Sequence, residues 1–230
     1  IPTSVMDLQF LEFFSSANTV SGGNFDSLYI PFRCVASDVD KNEAVVFRRG
    51  KLNEAIRASM TFPFYFKPIK VGGRLYFDGG IYNNFPSDIM YNEFYPDIII
   101  GSKVSDNYPE AKEEDVLSQI QSLIVSKTDY SVICGNGVLI EPSVLRVSLT
   151  DFSRARELID SGYAATVRKI DTLNILIGRR EFKYERDLGR TLFNSRKNEI
   201  FINKVNVTGI SKRESMYVSN FFRKDRYFSS

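Results

Sequence analysis

Hydrophobic positions follow two periods along residues 27–178, with short apolar runs between turn residues alternating with stretches of helical spacing. The apolar runs predict strands at 29–37, 43–47, 64–70, 74–77, 97–101, 138–140 and 145–149. The helical spacing predicts helices at 8–14, 51–60, 87–94, 113–128 and 153–177, with Gly162 the weak point of the last. Residues 15–26 read as a loop because they contain Ser21-Gly22-Gly23-Asn24.

The order of these elements predicts an α/β fold with a mostly parallel sheet. Residues 97–101 are apolar on both faces, as a parallel strand covered by helices on both sides must be. Val71-Gly72-Gly73 separates two strand-like runs and predicts a hairpin. The second arm of that hairpin ends at Asp78.

The pattern changes after residue 178. Residues 179–198 are rich in both acids and bases with few apolar anchors, which indicates a charged linker or a solvated helix. Residues 200–207 then alternate apolar and polar, and 214–222 have helical spacing. We therefore expect three parts, at 1–178, 179–198 and 199–230, the last being the start of a second domain. A C-terminal strand that completes the sheet of the first part is the alternative.

Composition excludes several classes of protein. The formal charge of the 230 residues is only +2, and the bases form no dense stripe, so we expect no nucleic-acid partner. No apolar run reaches the 18 or so residues of a membrane span. Cys34 lies in an apolar run and reads as buried, although a disulfide to Cys134 is an alternative. We expect the chain, which begins without Met and without a signal-peptide pattern, to be a piece of a longer protein.

Asp78 is the strongest candidate for catalysis, since it stands where an apolar run breaks into Gly79-Gly80. The alternative is an Asx-turn, in which the carboxylate only accepts hydrogen bonds from its own turn. The chain has no His, and no serine has glycine two residues away on both sides. The nucleophile and base of a Ser-His site are therefore both missing.

Several segments together resemble the patatin-like acyl hydrolases, particularly the bacterial patatin-like phospholipases. The matching residues are Ala58-Ser59-Met60 with Pro63, Phe66-Lys67-Pro68, Asp78-Gly79-Gly80 and Asn83-Asn84-Phe85-Pro86, with a weaker likeness at Ser161-Gly162-Tyr163-Ala164-Ala165. The resemblance covers about residues 27–178. It implies a three-layer α/β sandwich with a mostly parallel central sheet.

The resemblance also implies a mechanism, because that family uses a Ser-Asp dyad without His. Asp78 would be the catalytic base, Gly79 and Gly80 would shape its turn, and Asn83 and Asn84 would support it. The family's Gly-x-Ser-x-Gly elbow and oxyanion loop precede the matching region, so we expect this chain to supply the base, lack the nucleophile and be inactive alone. We expect no cofactor and no metal, and a phospholipid or other lipid ester as substrate, met at a membrane surface.

Residues 202–210 and 217–222 resemble the opening strand and helix of a polypeptide-transport-associated (POTRA) domain. This likeness implies a C-terminal outer-membrane β-barrel in the parent protein and a location in the cell envelope of a Gram-negative bacterium.

Two other functions stay open: a non-catalytic lipid-binding or outer-membrane assembly module on the same fold, and an unrelated α/β protein in which Asp78 is a turn residue. For Arg57 and Lys67, solvated surface charge is favoured over contact with a lipid phosphate. Phe62, Phe64, Tyr65 and Phe66 are favoured as packing residues over an acyl-chain pocket.

Overall fold

A computed structural model describes residues 3–105, 113, 114, 116, 119, 120, 127–143, 152–178, 182–197 and 211–223. Its helices are α1 (Ser4–Val20), α2 (Leu52–Ser59), α3 (Ser87–Phe94), α4 (Ala155–Val167), α5 (Ile170–Leu176), α6 (Lys183–Ser195) and α7 (Lys212–Arg223). Its strands are β1 (Cys34–Asp38), β2 (Glu43–Phe47), β3 (Ile69–Val71), β4 (Arg74–Asp78), β5 (Ile99–Ser102) and β6 (Gly137–Ile140). Short 3-10 turns lie at Phe25–Ser27, Gly79–Ile81 and Phe152–Arg154. The predicted α/β class is confirmed.

The chain divides into two compact units, one formed by residues 1–79 with 182–230 and the other by residues 80–181. This division does not follow the boundaries after residues 178 and 198 that the sequence predicts. The three expected parts therefore stay predictions.

The larger sheet, in the first unit, has the strand order β2-β1-β4-β3, and every neighbouring pair in it is antiparallel. The expectation of a mostly parallel sheet is therefore wrong for these four strands. The reason is the length of the connections: β1 to β2 and β3 to β4 are joined by two to four residues, whereas parallel neighbours need a crossover of a dozen or more.

β1 is one of the two inner strands of this sheet, and all five of its residues are buried. Its neighbours form the core of the unit. One buried cluster consists of Phe25, Cys34, Leu52 and Ala55, and a second of Ala36, Ala58 and Tyr76. α2 lies across β1, β3 and β4, and α1 packs on α2. Burial of α2 against three strands thus fixes the end of β4 relative to the rest of the unit.

The hairpin β3–β4 is confirmed, with Gly72 and Gly73 at positive φ between the two strands. Its first arm is shorter than predicted, because the strand begins at Ile69 rather than at residue 64. Phe64 has a φ of 71°, and the Phe66 N–H donates to the carbonyl oxygen of Phe62, so these residues form a turn. Pro63 and Pro68 also deprive this stretch of two strand donors.

The turn after β1 is organised by Asp38, whose side chain is completely buried. One carboxylate oxygen accepts from the backbone N–H groups of Asp40 (3.0 Å) and Lys41 (3.1 Å), and the other lies 3.3 Å from the guanidinium of Arg74. Burial by itself raises the pKa of this carboxyl, but the two N–H groups and Arg74 together hold the pKa of Asp38 below its usual value. Asp38 therefore joins the β1–β2 turn to β4.

In the second unit β5 and β6 pair in parallel, as the apolar pattern of residues 97–101 predicts. α3 packs on β5, and Gly101 in that strand is covered by the ring of Phe85, whose Cε2 would lie 3.1 Å from an added Cβ. The hydroxyl of Ser87, at the start of α3, donates to the carbonyl oxygen of Ser131. These contacts fix the Asn83–Pro86 segment within its own unit.

Several helices differ from their predicted bounds. α1 extends to Val20, so the predicted loop at 15–26 begins six residues too early. The helix expected at 153–177 is broken at Arg168 and Lys169 rather than at Gly162, because the Lys169 N–H donates back to Thr166 and ends α4.

α7 begins two residues before the predicted start because Ser211 and Glu214 form a capping box, in which each side chain accepts from the other's backbone N–H. α3 and β2 have their predicted bounds. The expected strands at 145–149 and 200–207, and most of the expected helix at 113–128, lie outside the described residues.

The alternative of a Cys34–Cys134 disulfide is wrong, since both thiols are free. Burial raises the pKa of the Cys34 thiol to about 12, which keeps it protonated and unreactive at neutral pH. No helix within the described ranges combines the length and apolar character needed to cross a membrane.

We predict that acid unfolding depends on Asp38. Its folded-state pKa is below the unfolded value of about 3.9, so its contribution is complete above that pH and is lost as the pH falls towards the folded-state pKa. Urea unfolding at pH 7 and pH 3 measures this. Asp38→Asn should lower the free energy of unfolding at pH 7 and reduce its fall between the two pH values. An unchanged pH dependence would contradict the assignment, and Asp40→Asn, at an exposed turn position, is the control.

Candidate active site

Asp78 is the last residue of β4, and the 3-10 turn Gly79–Ile81 follows it directly. The sequence prediction of a carboxylate where a strand breaks into glycines is therefore confirmed in its geometry. The residue is half-buried and lies opposite Ala36 in the β1–β4 pair. Asp78 thus stands at the end of β4, beside the buried strand β1, while keeping part of its surface open to solvent.

Both backbone groups of Asp78 are held by residues distant in sequence. Its N–H donates to the carbonyl oxygen of Thr61 at 2.9 Å. Its carbonyl oxygen accepts from the hydroxyl of Ser37 at 2.8 Å. Ser37 is 2% exposed and Thr61 is completely buried, so water competes with neither bond. The position of the Asp78 backbone is therefore fixed from β1 on one side and from the end of α2 on the other.

Thr61 is itself held by a buried cation. Its hydroxyl donates to the carbonyl oxygen of Arg57 at 2.6 Å and accepts from the guanidinium of the same residue. Arg57 is only 4% exposed, and its Nε donates to Asp7 of α1 at 2.8 Å. We refer to Asp7, Arg57 and Thr61 together as the Arg57 brace. The brace links α1 and α2 to the backbone of Asp78, because the carbonyl oxygen of Thr61 accepts from the Asp78 N–H.

Both sequence interpretations of Arg57 are wrong: it is neither a solvated surface charge nor available to a lipid phosphate. A buried guanidinium needs a charged partner and a full set of acceptors, and Asp7, Thr61 and the ring of Phe66, 5.3 Å from the guanidinium carbon, surround it. Lys67 is exposed, as expected for a surface charge.

Gly79 is required by the closeness of its neighbour rather than by its φ. A Cβ at this position would lie 2.7 Å from the carbonyl carbon of Val35, with the Val35 oxygen closer still. No side chain fits between this backbone and β1 without moving one of them. The first glycine after Asp78 therefore permits the close contact that brings the carboxylate to the edge of the sheet.

The other expected supporting residues, Gly80, Asn83 and Asn84, belong to the second unit. The amide of Asn83 donates to Asp88 at 3.0 Å, and that of Asn84 lies 3.3 Å from the hydroxyl of Ser105. Asn83 and Asn84 also line a cleft of about 290 Å³ in that unit. Their expected role beside Asp78 stays a prediction.

The serines Ser37, Ser59 and Ser102 lie in the strands and helices described above. Ser37 is buried and bonded to the backbone of Asp78, Ser59 is half-buried at the end of α2, and Ser102 is exposed at the end of β5. None is in a glycine-flanked turn, as the sequence indicated. What the sequence analysis missed is the role of Ser37 and Thr61 as partners of the Asp78 backbone, which no local pattern signals.

The aromatic residues before the hairpin are mainly packing residues. Phe62 and Tyr65 meet edge to face at 5.6 Å, and Phe66 lies under Arg57. Phe64 is the exception, being 54% exposed.

Residues 10–91 match the family model described as "Patatin-like phospholipase". An uncharacterized NTE family protein of Mycobacterium tuberculosis is 44% identical over 61 residues, which are 26% of this chain and 17% of that protein. A patatin-like phospholipase domain-containing protein of Caenorhabditis elegans is 38% identical over 69 residues, covering 29% of this chain and 5% of its own length. Neuropathy target esterase of Drosophila melanogaster is 30% identical over 77 residues, covering 33% and 5%. The chain thus spans less than a fifth of each of these relatives.

We predict that Gly79→Ala destabilises the first unit by about 1–3 kcal/mol, because the new methyl group must displace the backbone of Val35. Thermal unfolding measures the loss. Gly162→Ala in α4 is the matched control, since its Cβ meets no atom within 4 Å and alanine favours a helix. Equal melting temperatures for the two variants would contradict the close-contact argument.

We also predict that Thr61→Val costs about 1–3 kcal/mol of unfolding free energy, because the guanidinium of Arg57 loses a buried acceptor while the side-chain volume hardly changes. Thr61→Ser keeps the hydroxyl and should retain most of the stability. If valine and serine at position 61 were equally stable in urea, the Arg57 brace would have no energetic role.

Proposed function

We propose that the protein containing this chain hydrolyses lipid esters, with Asp78 as the general base, because residues 10–91 match the patatin-like phospholipase family model. The observation that carries the proposal is the fixed position of Asp78 within that matched segment. Its backbone is bonded on both sides to buried residues, and its side chain stands half-buried at the end of a strand. A general base needs this combination of fixed geometry and access to the reacting proton.

The nucleophile in this proposal is a serine outside these 230 residues, since none within them has the glycine-flanked pattern of an elbow. Asp78 takes the proton from that serine hydroxyl while its oxygen attacks the ester carbonyl carbon. The bond to the alcohol then breaks, and the proton passes from Asp78 to the departing alkoxide. An acyl-serine remains.

The second half of the reaction returns the enzyme to its starting state. Asp78 removes a proton from water, the hydroxide attacks the acyl-serine, and the bond to the serine oxygen breaks. The serine recovers its proton and the carboxylic acid leaves. The same carboxylate therefore acts twice, first as base for the serine and acid for the departing alcohol, and then as base for water and acid for the departing serine.

The buried partners of Asp78 contribute by positioning. Ser37 and Thr61 bind its backbone rather than its carboxylate, so they set where the side chain begins without taking up its oxygens. Arg57 acts one step further away, through the hydroxyl of Thr61. A displacement of about 1 Å at a catalytic group can reduce rates a hundredfold, so this support has a function beyond stability.

The substrate in this proposal is a phospholipid or related lipid ester at a membrane surface, in line with the family of residues 10–91. The POTRA-like character of residues 199–230, and the outer-membrane barrel and envelope location that it implies, stay predictions. α7 is the described part of that segment, and it lies against α1 within the first unit.

The test is Asp78→Asn in the full-length protein, assayed with p-nitrophenyl octanoate and with phosphatidylcholine vesicles. Loss of a general base should lower kcat by about a hundredfold to ten-thousandfold, since such groups contribute that much, while the melting temperature stays near that of wild type. Asp26→Asn, at an exposed carboxylate of the same unit, should retain full activity. Undiminished turnover by Asp78→Asn would reject Asp78 as the base. Vesicle binding by the wild-type protein without any hydrolysis would favour the non-catalytic module.

A further inference from the structure

An open cleft of about 420 Å³ lies between α6 and the segment that precedes β1. It is within the first unit. Its described lining residues are Ser27, Leu28, Tyr29, Gly189, Leu192, Phe193, Ser195 and Arg196, and we refer to it as the α6 cleft. Its volume is within the range of small-molecule sites, roughly 300–1,000 Å³. It has no part in the proposed hydrolysis.

Contacts to Tyr29 anchor α6 beside the segment that precedes β1. The Tyr29 hydroxyl donates to the carbonyl oxygen of Arg186 at 2.9 Å, and the rings of Tyr29 and Phe193 are 6.1 Å apart. Phe193 is 7% exposed, whereas Leu192 beside it is 59% exposed. Phe193 thus ties this face of α6 to the unit.

Gly189 keeps the middle of the cleft open. It faces the Tyr29 ring, and a Cβ at this position would meet the Cε2 atom of that ring at 3.5 Å. Any larger side chain there would extend into the space beside the tyrosine. A glycine inside a helix costs about 1 kcal/mol of helix stability relative to alanine. At position 189 this cost is accompanied by open space beside the Tyr29 ring, which a larger side chain would fill.

The cations around the cleft are arranged over its aromatic walls. The guanidinium carbon of Arg190 is 5.9 Å from the centre of the Tyr29 ring, and that of Arg196 is 5.3 Å from the centre of the Phe193 ring. The ammonium of Lys197 is 5.5 Å from the same Phe193 ring. These contacts hold three positive charges beside an apolar surface.

No carboxylate is among the described lining residues of the cleft. Two acids next to the cleft in sequence have partners of their own: Asp187 lies 3.9 Å from Arg186, and Asp26 pairs with Arg33 at 2.7 Å. Among the described residues, the local charge is therefore positive where Arg196 lines the cleft and Lys197 lies over the Phe193 ring. An apolar trough with a cationic end is complementary to an anionic amphiphile.

We propose that the α6 cleft binds a molecule with a single alkyl chain and an anionic head. The chain lies along Leu28, Leu192 and the aromatic rings, and the head is bound by Arg196 and Lys197. A carboxylate and a phosphate monoester share this chemistry. Fatty acids belong to the same class and are what ester hydrolysis releases, but binding in this cleft does not require hydrolysis.

Calorimetric titration of the full-length Asp78→Asn variant separates this proposal from the hydrolase proposal, because laurate and dodecyl phosphate are ligands without an ester to cleave. Both should bind, and dodecyltrimethylammonium, which has the same chain and the opposite charge, should bind at least tenfold more weakly. Affinity for carboxylates should rise from octanoate to laurate, by up to about fourfold for each methylene that leaves water. Equal binding of the cationic amphiphile, or no dependence on chain length, would overturn the proposal.

Variants locate the site. Leu192→Asp places a negative charge on the cleft wall and should weaken laurate binding at least tenfold. Leu188→Asp is the matched control, since Leu188 is also exposed on α6 but is not among the lining residues. Arg196→Gln should weaken laurate binding, and Lys183→Gln, at the far end of α6, should not.

Melting temperatures establish that each variant is folded. If Leu192→Asp were destabilised, Arg196→Gln would decide the question alone. Laurate binding that is unaffected by both cleft variants, or reduced equally by Leu188→Asp, would place the ligand elsewhere and overturn the proposal.

Discussion

The close approach of the Gly79 backbone to Val35 of β1 is the contact on which the candidate site depends. It is possible only without a side chain at position 79, and it brings the end of β4 against the buried strand β1. The Asp78 backbone can then bond Ser37 on β1 and Thr61 beyond α2 at the same time. Loss of the close approach would therefore disturb the position of the carboxylate as well as the packing of the sheet.

The Arg57 brace extends this arrangement into the helical layer. A guanidinium that is 4% exposed is stable only with its charge and donors satisfied, and Asp7 and Thr61 satisfy them from α1 and from the residue next to the site. The free-energy cost of burying the Arg57 guanidinium is thus offset in part by the hydrogen bond to Thr61, which requires Thr61 to be correctly placed. Within the second unit, Asn83 and Asn84 each have a partner of their own.

The sequence predicts the features that depend on residues close together in the chain. Hydrophobic periods locate β2 and α3 at their observed bounds, and the glycine pair after Asp78 marks the end of β4. The partners of Asp78 could not be predicted, because they depend on pairing between segments 17 and 41 residues away. Arg57 was misread for the same reason, since its burial is set by a residue 50 positions earlier. The share of parallel strand pairs was overestimated because apolar runs do not reveal the direction of a strand, whereas the lengths of the connections do.

The central claim is that Asp78 activates a serine supplied from outside these residues. The most direct measurement is the rate and position of labelling by a fluorophosphonate in the full-length protein, read by mass spectrometry of its peptides. The account predicts a single adduct on a serine outside the 230 residues, formed at least about a hundredfold more slowly in Asp78→Asn. An adduct on a serine within the 230 residues, or labelling at an unchanged rate in Asp78→Asn, would contradict it.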